Sequence, residues 1–147
     1  MATTIPQISA PRVRLNYLAI VIAAIACFLL EAGWYTYFTK PWLAGIGRSM
    51  EWLMSQGVNP ALQYGTALVS AVVIAATISC LTQLTGKQTA LRGIMIGALL
   101  ALGLELPAMA TEYIFEVRTW ALLGINAGYW FFGMTIMGAI VGAWKKK

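Results

Sequence analysis

Histidine and aspartate are both missing from the 147 residues, and all five acidic side chains are glutamates. Without histidine there is no Ser-His-Asp or Cys-His nucleophile pair, no histidine-held metal and no haem on a proximal histidine. Charge is scarce too. Only 10% of residues are charged and 60% are apolar, whereas a soluble domain carries about 25% and about 45–50% respectively. So little charge cannot clothe a water-facing surface, which excludes a soluble globular domain and points to lipid. Cysteine is limited to Cys27 and Cys80. They fall at different depths of the apolar runs and lack a neighbouring base, so neither a disulfide nor an activated thiol is expected.

What the chain does contain is long apolar runs. A membrane-spanning helix needs roughly 20 consecutive apolar residues, and four stretches qualify, at about 15–38, 64–84, 93–110 and 120–144. None alternates apolar with polar residues as a barrel strand would. The expected fold is therefore an all-α membrane protein of four transmembrane helices. Residues 1–14 form a short N-terminal segment and 15–147 a single transmembrane domain. Arg12 and Arg14 before an apolar run resemble the start of a signal peptide. The run continues to Phe38, past a signal's usual length, so an uncleaved helix is expected.

Lysine and arginine set the orientation, because positive charge is retained on the cytoplasmic side. With four spans, Arg12, Arg14, Lys87, Arg92, Lys145, Lys146 and Lys147 share one side. Lys40, Arg48 and Arg118 lie on the other. Seven against three places both termini in the cytoplasm of a cell whose inner membrane holds the chain. The net charge of +5 then reports orientation and contact with anionic headgroups, and no nucleic-acid partner is expected.

Between the first two spans, residues 41–57 read as one short amphipathic interfacial helix. Trp42, Leu43, Ile46, Met50, Leu53 and Met54 fall within about 120° of arc at 100° per residue. Pro41 suits its first turn, and the Gly57-Val58-Asn59-Pro60 run ends it. Trp42, Trp52, Trp120 and Trp144 are the interfacial anchors. Trp120 and Trp144 stand 24 residues apart, roughly 36 Å along a helix, one indole for each interface. Trp52, on the polar face, is either a headgroup-level aromatic or a docking residue for a partner. Residues 85–89 read as a tight turn and 111–119 as a connector. Phe38-Thr-Lys-Pro-Trp42 and Phe115-Glu-Val-Arg-Thr-Trp120 follow the first and third spans in a similar way, a hint of a two-helix repeat.

Several of these segments carry a resemblance. Asn16-Tyr17-Leu18-Ala19-Ile20, Gly33-Trp34-Tyr35 and Lys40-Pro41-Trp42 resemble the bacterial domain-of-unknown-function 1761 family. Phe115-Glu116-Val117-Arg118 is similar to that family's Phe-Glu-Gly-Arg turn. Ile125-Asn126-Ala127-Gly128-Tyr129, Met137-Gly138-Ala139-Ile140 and Gly142-Ala143-Trp144 are similar to its closing helix. The resemblance runs from Asn16 onward. It implies a small four-helix integral membrane protein of bacterial type and brings no catalytic residues. A role for Glu31 is not carried over, since a small residue is expected there.

Two carboxylates, Glu31 and Glu105, lie inside spans, where an ionisable group costs about 2.5–3.5 kcal/mol on insertion scales and is a functional candidate by default. Each ends a stripe of small side chains, Ala24-Cys27-Glu31 and Ala98-Ala101-Glu105, so the two are expected to approach one another inside the bundle. Charged carboxylates repel, and such a pair suits a proton or cation site. The alternative is that they snorkel outward or pair with Lys40, Arg48 or Arg118. Pro107 is expected to weaken the backbone ladder nearby. Gly93 and Gly97, Gly124 and Gly128, and Gly138 and Gly142 have the spacing that lets helix backbones approach, within the bundle or between copies. Asn126 is placed to hydrogen-bond across helices. The run Tyr129-Trp130-Phe131-Phe132 points all round its helix, so part of it faces lipid or a partner.

No metal, cofactor or nucleophile–base pair is expected, and so no enzyme. The favoured function is an accessory or scaffold subunit of a larger membrane complex, or a homo-oligomer, with the lipid bilayer and other subunits as partners. The competing reading is a small proton- or cation-linked transporter using Glu31 and Glu105.

Overall fold

Each long helix begins where a short polar side chain caps its free backbone amides. Asn16 accepts from the amide of Ala19, Asn59 from Ala61, Thr89 from Arg92 and Thr119 from Leu122. The computed structural model describes residues 13–146, so residues 1–12 of the N-terminal segment, Arg12 among them, and Lys147 lie outside the described residues. Among the described residues seven α-helices follow in order: α1 (Tyr17–Tyr37), α2 (Thr39–Ile46), α3 (Met50–Ser55), α4 (Pro60–Leu84), α5 (Ala90–Leu100), α6 (Leu106–Phe115) and α7 (Trp120–Ala143). A π turn at Ala101–Glu105 joins α5 to α6. Four helical stretches are long and apolar enough to cross a membrane: Tyr17–Tyr37, Pro60–Leu84, Ala90–Phe115 and Trp120–Ala143. The chain is a multi-pass, all-helical membrane protein.

Helix α7 is the hub of the bundle, packing against α5, α1 and α4, while α1 also packs on α4. Its buried residues run its whole length, from Leu122 to Gly142. The core between α1, α4 and α7 is built from small and flexible apolar groups: Ala23, Ala24, Ala71, Ala75, Ile78, Met134 and Met137. Residues 13–16, 85–89 and 144–146 form one face of the bundle, the near face. Gln83 accepts from the amide of Arg14 there, Gln88 donates to the carbonyl of Val141, and Asn16 to that of Trp144. Residues 38–59 and 116–119 form the opposite, far face.

The structure corrects four local expectations. Residues 41–57 are two helices, not one, because Gly47 takes a left-handed conformation (φ 66°) that ends α2, and Ser49 caps α3. Helix α2 docks on α7, where a Cβ on Gly45 would stand 2.7 Å from Leu122 Cβ. Met50 and Met54 of α3 stay exposed. Asn59-Pro60 does not close the interfacial segment; it opens α4, with Asn59 as cap and Pro60 in the first turn, where a missing amide hydrogen is harmless. The third span runs on to Phe115, so most of the expected connector is helix. The two Phe-to-Trp segments have different outcomes: one enters α2 and α3, the other closes directly into α7. They are not a structural repeat.

The π turn has a local cause. Pro107 brings no amide hydrogen, and its ring crowds the carbonyl four residues back. Widening the preceding turn relieves the clash, and the Leu106 amide then bonds the carbonyl of Ala101, five residues away.

Candidate functional site

The far half of the bundle holds most of its polar side chains. Tyr129 projects from α7 towards α1, and its hydroxyl donates to Glu31 Oε2 at 3.2 Å. The hydroxyl oxygen of Tyr129 also lies 3.5 Å from Cys27 Sγ. A phenol has one hydrogen, so with Glu31 as its acceptor the thiol of Cys27 is the donor in the second contact. Cys27 and Tyr129 are both buried. A second chain runs beside the first: Tyr35 donates to Asn126 Oδ1 at 2.9 Å, and Asn126 Nδ2 donates to Tyr113 at 2.5 Å. The rings of Tyr35 and Tyr129, 5.5 Å apart, join the two chains. Trp34 adds a bond from its indole to the carbonyl of Ile125 at 3.0 Å. Helices α1, α6 and α7 are thus tied by side chains whose apolar bodies pack while their polar tips pair.

Glu31 and Glu105 both sit in this half, yet the structure does not bring them together. Glu31 lines a cavity of about 380 Å³ among α1, α2, α3 and α4. Glu105 lines another of about 290 Å³ beside Glu112, Glu116, Tyr35 and Asn126. The reason is architectural. Helix α1 packs on α7 and α4, whereas the third span packs chiefly on α7, and the π turn shifts Glu105 round the axis from the buried Ala101. The expected cationic partners are also elsewhere. Arg118 pairs with Glu116 and lies over the Tyr113 ring, and Arg48 lies 4.3 Å over Trp52. The Arg118–Glu116 pair is the only ion pair among the described residues.

The glycines divide by location. A Cβ on Gly93 would overlap the carbonyl of Gly138, and one on Gly138 the carbonyl of Gly93. Gly97 meets the carbonyl of Met134 and Gly142 that of Thr89 in the same way. These four form a backbone-to-backbone seam between α5 and α7 within the chain. Gly128 seats the Trp34 ring, while nothing lies within 4 Å of a Cβ on Gly124. Among the anchors, Trp120 and Trp144 are exposed at the two ends of α7, Trp52 is exposed under Arg48, and Trp42 packs on Tyr35 at 5.8 Å. Both cysteines are free.

Tyr35, Tyr113 and Cys27 were not singled out by sequence as members of a polar cluster. Tyrosine in an apolar run looks like packing until its hydroxyl partner is known.

The chain from residue 18 to 142 matches the model of a family described as a protein of unknown function, DUF1761. None of the curated proteins and none of the solved structures matches the chain. With most of its length matched, the chain belongs to the DUF1761 family.

Proposed function

We propose that this member of a family of unknown function is a non-catalytic accessory subunit of the bacterial inner membrane. It acts by packing against other transmembrane helices, of a larger assembly or of a second copy. The observation that carries this reading is the far half of α4. From Pro60 to Ser70 every residue is exposed except the half-buried Ala67. Gln63, Thr66, Ser70 and Thr77 fall within about 60° of one another at 100° per residue, on the side away from the buried Ala71 and Ala75. The hydroxyls of Thr66 and Thr77 bond their own helix, at Leu62 and Val73. The exposed amide of Gln63 points to a facing helix, because polar side chains between spans act as glue worth about 0.6–2 kcal/mol each. The glycine seam is occupied inside the bundle, so α4 offers the polar face that remains. The seven-to-three distribution of positive charge supports cytoplasmic termini, which puts α2, α3 and the far half outside.

Extraction in mild detergent tests this reading. A stoichiometric partner or a defined homo-oligomer is expected, with Gln63→Leu weakening it. A monodisperse, partner-free monomer overturns it.

Proton- or cation-linked transport is the second reading, favoured by the Glu31–Tyr129–Cys27 chain. The next layers towards the near face, Ala23, Ala24, Ala71, Ala75, Met134 and Met137, offer no polar route onward. Flux in proteoliposomes that disappears in Glu31→Gln would favour transport, and unchanged flux in Glu31→Gln and Glu105→Gln would remove both carboxylates from it.

A further inference from the structure

The geometry points to the cavity at Glu31 as a binding site for an organic ammonium group, a lipid headgroup amine or a free alkylammonium ion. The cavity, of about 380 Å³, falls within the usual size of small-molecule sites. It lies at the far ends of α1 and α4, roofed by Thr39 of α2 and Met50 of α3. Glu31 is six residues before the end of α1, about 9 Å along the axis. That depth lets a polar group enter from the interface while its substituents stay in an apolar surround.

The lining decides the chemistry. Glu31 is its one charged group, and no lysine or arginine joins it. An anion would find no counter-charge. Its carboxylate is held inward by Tyr129 through Oε2, so it does not snorkel out, and Oε1 takes no hydrogen bond from the described residues. The walls are Phe28, Tyr35 and Tyr64, with Phe28 and Tyr64 edge to face at 6.0 Å. Aromatic faces attract a cation that sheds its water, and ammonium groups are the ions such walls suit. A bare calcium or magnesium ion fits poorly: it needs six or more oxygens, and the cavity supplies a single carboxylate. The hydroxyls of Thr36 and Thr39 donate to the carbonyls of Ala32 and Tyr35. The cavity therefore joins a carboxyl group fixed in place to aromatic walls, with little to offer an anion or a hydrated metal ion.

Labelled tetraethylammonium, titrated against the full-length protein in phosphatidylglycerol nanodiscs, tests the site. Saturable binding is expected, weakened at least about tenfold by Glu31→Gln and about three- to tenfold by Tyr64→Leu. Glu105→Gln, in the other cavity, leaves it unchanged. Nanodiscs containing phosphatidylethanolamine separate the two sources. If that lipid displaces tetraethylammonium, and native mass spectrometry finds it retained by the unsubstituted protein but not by Glu31→Gln, the headgroup is the occupant. If tetraethylammonium binds without being displaced, the site takes free ammonium ions. Absence of both tetraethylammonium binding and lipid retention overturns the proposal, as does equal binding in Glu31→Gln. Glutamine keeps an acceptor for Tyr129. Should that variant still fail to fold, Tyr64→Leu decides, because Tyr64 is 63% exposed, and unchanged binding there overturns the proposal.

Discussion

The two halves of this bundle are held together by opposite means. On the near side, α5 and α7 meet backbone to backbone across Gly93, Gly97, Gly138 and Gly142, with no room for a methyl group. On the far side, α1, α6 and α7 are joined through the tips of Tyr35, Tyr113, Asn126 and Tyr129, and cavities open beside them. In lipid, burying apolar surface between helices gains little, so association rests on close packing and hydrogen bonds. Close packing dominates where α5 meets α7, and hydrogen bonds between side chains dominate where α1 and α6 meet α7. Close packing leaves no space for a ligand, whereas long polar side chains prop the helices apart and leave charged groups accessible. The α5–α7 seam therefore suits stability, and the polar cluster on the far side suits recognition.

The sharpest way to break this contrast is to add a side chain to the seam. Gly93→Leu is expected to destabilise the fold by about 3 kcal/mol or more, at the upper end of overpacking, because the neighbour is backbone carbonyl and cannot swing aside. Gly124→Ala is the control: its Cβ meets open space, and alanine gains about 0.5–1 kcal/mol of helix propensity over glycine. Thermal unfolding in detergent, followed by circular dichroism, measures both. Equal effects at the two glycines would refute the seam.

Smaller losses are expected on the far side. Tyr129→Phe removes the hydrogen bond held by Glu31 and leaves Cys27 without its partner. A bond to a charged group contributes about 1.5–3 kcal/mol, so a loss of about 2 kcal/mol is expected from the same unfolding measurement. Asn126→Leu removes two interhelical bonds and is expected to lose about 1 kcal/mol, in line with polar pairs between spans. Its loss should disappear in a Tyr35→Phe, Tyr113→Phe background, a double-mutant comparison that separates hydrogen bonding from shape. If Asn126→Leu proved as damaging as Gly93→Leu, the two halves would not differ in kind.

Much of this fold was legible in the sequence, and for a physical reason. A span must satisfy its backbone internally and match the thickness of the bilayer, so the apolar runs mark the four helices directly. The family could be recognised from short segments such as Phe115-Glu116-Val117-Arg118 and Ile125-Asn126-Ala127-Gly128-Tyr129. Local geometry was harder to read. The break at Gly47 rests on one left-handed φ, the start of α4 on the Asn59 cap with Pro60 in its first turn, and the π turn on Pro107's missing amide hydrogen, none of which hydropathy registers. The site was legible only in part. Glu31 and Glu105 stand out as charges in apolar runs, but whether they meet depends on which helices are neighbours. Four long apolar helices look alike in composition, and α7 lying between α1 and the third span is a tertiary fact. The cavity at Glu31 gathers residues from four helices, and no spacing along the chain encodes that.

An effect of similar size and opposite sign is expected at the far-side turn between α6 and α7. Val117 has a φ of 55°, the left-handed region that glycine enters freely and a β-branched residue enters at a cost. The turn is closed by the amide of Arg118 on the carbonyl of Tyr113 at 2.8 Å, and by that of Val117 on Ile114 at 3.2 Å. These bonds hold the valine there to end the helix. Val117 is 90% exposed, so its side chain contributes almost no packing to offset the strain. Val117→Gly is therefore expected to stabilise the protein by about 1 kcal/mol. Gly93→Leu acts in the opposite direction: glycine removed from the near seam unfolds the bundle, and glycine added to the far turn steadies it. Should Val117→Gly destabilise instead, the exposed valine must be buried against something in the intact membrane. That result would locate a contact surface on the far face.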